Sequence, residues 1–341
     1  MNMIFVTVFA GWGIFAVFQA AAQTPGEFRA AEAAPVSKAV APQPPASTDL
    51  NAVLPGTGTL EERFEAFARQ TGVRFGEPDA SGRVYYAAAS DVNAEPSETA
   101  FVTERLSAFM RAKGDAVSQH IQRMHRLYPG ETDKVADSKR GLCVTQTLEG
   151  KSPEGTMRIG VVLRYDPVID ALVRDVAAGR AATRAPASQG LPARALLPAD
   201  TAALVQSLGS RFFYNEQGCP ALVVFGQWPA GDSEKDPRRL LRVREDAMTK
   251  AGNIAQAFLD GFLAERGILL DGMDLFRQSE LLFREVVKHP SGAGVAVCVY
   301  SWRFPSAEKV EAKKTPPSPP PTPPAPVKAG TFGGFSVEYD F

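Results

Sequence analysis

The sequence predicts an α+β fold made by tandem duplication of a two-layer unit, each copy a short helix, a strand, a long helix and an antiparallel β-hairpin. Three observations predict it. Apolar runs at Val84–Ala88 and Leu222–Gly226 stand about 138 residues apart. Each is followed by a long stretch with apolar residues at three- and four-residue steps, the period of one helix face. Each long stretch leads into two strand-like runs around a turn rich in Gly and Pro, which reads as a hairpin.

The chain opens with Met3–Phe18, sixteen uncharged residues dominated by Ile, Val, Phe and Ala, and small residues Ala20 and Ala22 follow. This predicts a signal peptide over 1–22, cut before Gln23, although no Lys or Arg precedes the apolar run. The competing reading is a retained anchor; sixteen helical residues rise only about 24 Å, against a hydrocarbon core of about 30 Å. Residues 23–56 are rich in Ala and Pro and poor in large apolar residues, so a disordered linker is expected. The first repeat then spans 57–180, a linker 181–197 and the second repeat 198–306. A Pro-rich spacer covers 307–329, with Thr315–Pro326 expected as a polyproline II rod, and a strand-like tail covers 330–341.

Inside the repeats the expected elements correspond. Short helices are expected at Leu60–Gln70 and Ala199–Leu208. The first long helix carries Val102, Leu106, Phe109, Met110, Val117, Ile121 and Met124, and stops at Pro129-Gly130. The second carries Leu240, Met248, Ala251, Ala255, Phe258, Leu259 and Phe262, starts at Asp236-Pro237 and stops at Gly267. The hairpins pair Leu142–Glu149 with Met157–Tyr165, and Leu281–Lys288 with Val295–Trp302. The last strand is apolar on both sides, with Val295, Val297 and Val299 against Ala296, Cys298, Tyr300 and Trp302. A strand buried on both faces needs a second layer: either the repeats pack on each other there, or Tyr300 and Trp302 anchor a partner.

The helix Arg244–Ala264, set between strands Leu222–Trp228 and Val295–Trp302, resembles the duplicated strand–helix–strand–strand domains of bacterial envelope proteins, including flagellar-assembly and curli-secretion accessory proteins. The resemblance covers roughly 70 residues of the second half and implies a periplasmic scaffold or interaction domain.

Chemistry-bearing patterns are sparse. His120 and His125 lie five apart on one helix, about 140° around its axis, so they do not share a metal. His289 falls in a hairpin turn, where a solvated side chain is expected. Cys143, Cys219 and Cys298 allow at most one bridge, with Cys219–Cys298 conceivable and buried thiols the alternative. Alternation groups Cys143 with Thr145 and Thr147 on the more polar face. No phosphate-binding, dinucleotide or nucleophile-elbow motif occurs, so no catalytic residue, cofactor or metal is expected. A formal charge of −1 removes any argument for nucleic acid.

In the tail, Phe335, Val337, Tyr339 and Phe341 alternate with Ser336, Glu338 and Asp340, the pattern of a half-buried strand. It resembles C-terminal aromatic signals read by outer-membrane assembly machinery and periplasmic proteases. Three readings stand: it folds back on its own domain, stays disordered, or adds to a partner's sheet. The expected function is that of a non-enzymatic periplasmic or cell-surface accessory protein that binds other envelope proteins through its sheet edges, the second repeat's apolar face with Tyr300 and Trp302, or this tail. A small-molecule site between the repeats, with hydrolysis as its chemistry if it has any, is one alternative. A structural component tethered to the inner membrane is another, the only reading that puts the chain on a membrane.

Overall fold

The computed structural model describes residues 58–93, 97–182, 184–185, 190–231, 234–268 and 278–304. The signal segment, the Ala/Pro-rich linker, the Pro-rich spacer and the tail with Phe335, Val337, Tyr339 and Phe341 lie outside the described residues. What is described is α+β: two antiparallel sheets with helices against their faces.

Helix α1 (Leu60–Thr71) begins at Thr59, whose hydroxyl and the Glu62 carboxylate cap each other's backbone N–H groups, and it ends at Gly72 with φ 70°. Strand β1 (Val84–Asp91) follows, then α2 (Glu98–Leu127), 30 residues and about 45 Å long. After α3 (Thr132–Ser138) come β2 (Leu142–Lys151) and β3 (Met157–Tyr165). The hairpin places β3 in the centre, giving the order β1-β3-β2. Helix α2 covers one face through Ala108, Phe109, Ala112 and Ala116, against Tyr86, Ile159, Val161 and Leu163. Helix α1 covers the other, with Leu60 and Phe67 on Tyr85, Leu148 and Val162. Gly160 on β3 is required there, since a Cβ would crowd Phe64 and Leu60.

Helix α4 (Pro167–Ala177), capped by Asp166 with proline in its first turn, leaves this unit. Short α5 (Thr201–Gln206) leads into β4 (Gly209–Tyr214) and β5 (Pro220–Pro229). Helix α6 (Pro237–Ala264) starts at Asp236, which accepts from Arg238 N–H and Arg239 N–H, and β6 (Ser279–Lys288) and β7 (Gly294–Arg303) complete a sheet of order β4-β5-β7-β6. The small residues Ala247, Ala251 and Ala255 let α6 lie close to this sheet. At Gly226 a Cβ would overlap the Ala251 carbonyl and the Ala255 amide.

The doubly apolar strand β7 does have two covering layers. One face lies under α6. The other, with Val295, Val297 and Val299, meets Leu196, Leu204 and Val205 from the segment before β4, plus Val102 of α2. The segment just before β4 thus supplies most of the second layer, and the first unit supplies its edge. Trp302 faces α6 and α4, fully buried among Ile169, Leu222, Leu259 and Phe304. Tyr300 is half-buried beside it, its hydroxyl near Gly252.

Five elements depart from expectation, two of them, α3 and α4, lying where no element was expected. Alternation did not mark β4 as a strand, because Ser210 and Arg211 break its apolar run; both are buried all the same. Helix α5 is shorter than the expected Ala199–Leu208, since Asp200 caps it late and the chain turns extended at Ser207. In β2 the register shifts between Val144 and Gln146, a bulge at Thr145. One extra residue moves later side chains to the other face, so Cys143 and Thr147 point to opposite sides of the sheet. All three cysteines are free.

Candidate functional site

Three polar ensembles stand out. The first is an open cleft of about 400 Å³ between the loop Phe75–Glu77, Tyr86 of β1 and the C-terminal half of α2. It forms where β1 is a sheet edge. Gly76, in the left-handed region with φ 81°, donates its N–H to Tyr85 O at 2.7 Å, and Asp79 N–H donates to Arg83 O at 2.8 Å. Arg123 clamps the loop to the helix by donating to Gly76 O at 3.0 Å. Further along, Gln119 donates to Ala87 O and Arg111 to Asp91 O, so side chains satisfy part of the strand edge. The helix wall presents Gln119, Gln122, Arg123 and Arg126, and Leu127 beside them is 53% exposed. One carboxylate, Glu77, sits on the opposite rim, 3.6 Å from Arg74.

Beneath the cleft a neutral hydrogen-bonded chain runs inward. Ser138 Oγ donates to Val135 O at 2.7 Å and so accepts from His120 Nε2–H at 2.9 Å. His120 Nδ1 is left to accept from Tyr86 O–H at 3.1 Å. Burial, aided by the Arg123 charge, pushes His120 down to about 4, and burial pushes Tyr86 up to about 12. Neither group changes charge near neutrality, so this chain orients Tyr86 at the cleft floor and does not shuttle protons there.

The second ensemble is a buried knot between the two sheets. Arg105 of α2 forms a two-pronged contact with Glu149 of β2, and donates to Gln227 of β5 at 3.0 Å and to Val205 O at 2.8 Å. His289, in the β6–β7 turn, meets the second Glu149 oxygen at 2.7 Å. Burial raises the Glu149 carboxyl, but Arg105 and His289 outweigh it and hold the group below the usual carboxylate range. The expected solvated His289 is therefore corrected: it is 4% exposed, because its turn closes against the first sheet and offers it a carboxylate.

The third ensemble surrounds Cys143. Arg266 donates to Arg140 O, Leu142 O and Phe262 O, while Asp166 bridges Arg83 at 2.9 Å and Arg164 at 3.5 Å. Burial pushes the Cys143 thiol up, which suits an inert structural thiol. Among the described residues no group of three or more His, Cys, Asp or Glu side chains could hold a metal ion. No described helix is long and apolar enough to cross a membrane.

Of the residues singled out in the sequence, Trp302 has no exposed surface to offer a partner, and Tyr300 shares its helix-covered face. Of the residues that build the cleft and the knot, the sequence singles out His289 alone, and as a solvated side chain. One signal was present: Arg105 falls on the apolar stripe between Val102 and Phe109, whereas alternation put Glu149 with Cys143, Thr145 and Thr147 on the more polar face of β2. Charges at core positions of a periodic pattern mark buried polar knots.

No protein-family model matches the chain, and no curated protein matches it. Among solved structures, a hypothetical protein from Francisella tularensis is similar at a TM-score of 0.46 and 16% identity, over 71% of this chain and 89% of that one.

Proposed function

We propose that the chain is a binding protein of the bacterial envelope, and that it takes an extended acidic segment of another envelope protein in the cleft beside β1. The open cleft carries this reading: Arg123 and Arg126 on one wall, Tyr86 and Phe75 as aromatic floor, and the exposed side chain of Leu127. Paired cations with apolar neighbours attract a carboxylate-bearing peptide and hold its apolar side chains. Export follows from the apolar start and its small-residue boundary, and is part of the same proposal. So is the duplication, which draws support from the shared placement of the last strand in the centre of β1-β3-β2 and of β5-β7-β6. Superposing the two units should align equivalent Cα atoms at one near-constant offset; drifting offsets would count against common descent.

The binding test is fluorescence anisotropy of full-length protein with a labelled peptide that alternates Glu or Asp with Phe, Val or Tyr. The double variant Arg123→Glu, Arg126→Glu should bind at least about tenfold more weakly at low salt, and the difference should shrink as salt screens the charges. Equal affinity of wild type and variant would remove the cleft from consideration. For export, the mass of the N-terminal peptide from cells decides: a first residue other than Gln23, with the apolar segment retained, favours the tethered reading.

A further inference from the structure

The buried knot ends at the surface in an arrangement that binding does not use. His289 Nδ1 lies 2.8 Å from Ser291 Oγ, and also accepts the Ser291 N–H at 3.0 Å. An Nδ1 that accepts a backbone N–H carries its lone pair, so the ring proton sits on Nε2 and is donated to Glu149 at 2.7 Å. Arg105 holds that carboxylate from its other oxygen, with Nε at 2.9 Å. The Phe101 ring meets the imidazole edge to face at 5.1 Å and fixes its plane. Glu149 and His289 are buried, whereas Ser291 is exposed. A nucleophile within reach of a base, and a base oriented by a third group, is the arrangement that activates serine hydroxyls.

We propose that Ser291 is an acylatable serine, with His289 as its base and Glu149 as the residue that positions and charges that base. Independently of the cleft, this would give the chain reactivity toward small carboxylic esters. In the step, Ser291 Oγ forms a bond to the ester carbonyl carbon and its proton passes to His289 Nδ1. The carbon–oxygen bond to the alcohol breaks, and the same proton leaves on that alcohol. Glu149 offsets the positive charge that the imidazole carries meanwhile. Water then hydrolyses the acyl-serine, returning the carboxylic acid and the free hydroxyl. The ring nitrogens are used in the reverse sense to the protease arrangement, with Nδ1 toward the nucleophile; the tautomer needed is the one that the hydrogen bonds already select.

The test uses full-length protein and p-nitrophenyl acetate, with acetylation mapped by mass spectrometry. Ser118, also exposed and on α2, is the internal reference. Ser291 should acetylate at least about a hundredfold faster than Ser118, the modest end of general-base effects. The advantage should vanish in His289→Gln and in urea-unfolded wild type, and Glu149→Gln should shift the pH at which the rate rises. Ser291→Ala should lose that adduct alone. Equal rates at Ser291 and Ser118 in the folded protein would overturn the proposal, as would a folded His289→Gln that labels as fast as wild type. Should His289→Gln not fold, the comparison of folded with urea-unfolded wild type decides by itself.

Discussion

At the scale of single residues, the fold rests on a few charges placed where apolar groups would ordinarily sit. Glu149 and Arg105 are each nearly inaccessible, and each is tolerable only because the other is there. Glu149→Gln leaves the Arg105 charge buried without a counter-charge, and a loss of about 3 kcal/mol is expected, read as a lower urea midpoint at unchanged slope. Acid should act at two stages. His120 has a folded pKa near 4, below its unfolded value of about 6.5. The folded state therefore binds the proton more weakly, and the stability that neutral His120 contributes is present above pH 6.5 and drains as pH falls toward 4. At ~1.4 kcal/mol per pH unit that amounts to roughly 3 kcal/mol by pH 4. Glu149, held below the carboxylate range, contributes stability that is lost only below about pH 4.3. Urea titrations at several pH values should thus show wild type weakening between pH 6.5 and 4.5, with His120→Gln nearly flat over that interval. A wild type as flat as the variant would contradict the assignment.

At the scale of elements, two glycines separate packing from propensity. Gly226 of β5 lies against the backbone of α6, and a methyl group there must push the helix off its sheet. Gly226→Ala is expected to destabilise by about 1–3 kcal/mol. Gly114 lies inside α2, where a Cβ meets open space, and Gly114→Ala should stabilise by about 0.5–1 kcal/mol through helix propensity. Melting temperatures moving in opposite directions for these two Gly→Ala changes would verify both placements. A neutral Gly226→Ala would mean that α6 does not lie as close as described.

At the scale of the molecule, the apolar clusters mix both units. Cys143 and Ile169 share a cluster with Leu222 and Trp302, Leu208 joins Val161 and Leu163, and Val102 joins Val299. The edges of β2 and β4 meet at Thr147, whose Oγ1 accepts from Leu208 N–H and Arg211 and donates to Gln206 O. Neither unit keeps its core if the other unfolds, so one cooperative transition is expected. In a Trp12→Phe background, tryptophan fluorescence reports the second unit through Trp228 and Trp302. Thiol labelling of Cys143, in a Cys219→Ser, Cys298→Ser background, reports the first. Both should give the same urea midpoint; separate midpoints would show two independent folding units.

Local pattern alone determined the α+β class, the two long helices, both hairpins and the burial of β7 on both faces. These follow from period, capping residues and turn glycines, which act within a few residues of chain. The need for a second layer over β7 was legible too, since an apolar strand must be covered. Which chain segment covers it was not, because that depends on how a loop over residues 190–200 returns. Only the tertiary structure decided the face of Cys143, since a single bulge at Thr145 reverses alternation without a mark in the composition. It alone brought His289 across to Glu149, 140 residues away, and raised Arg123 and Arg126 over Tyr86. A side chain's periodicity tells whether it is buried; what it meets there is set by contacts between distant segments, and chemistry is decided by those.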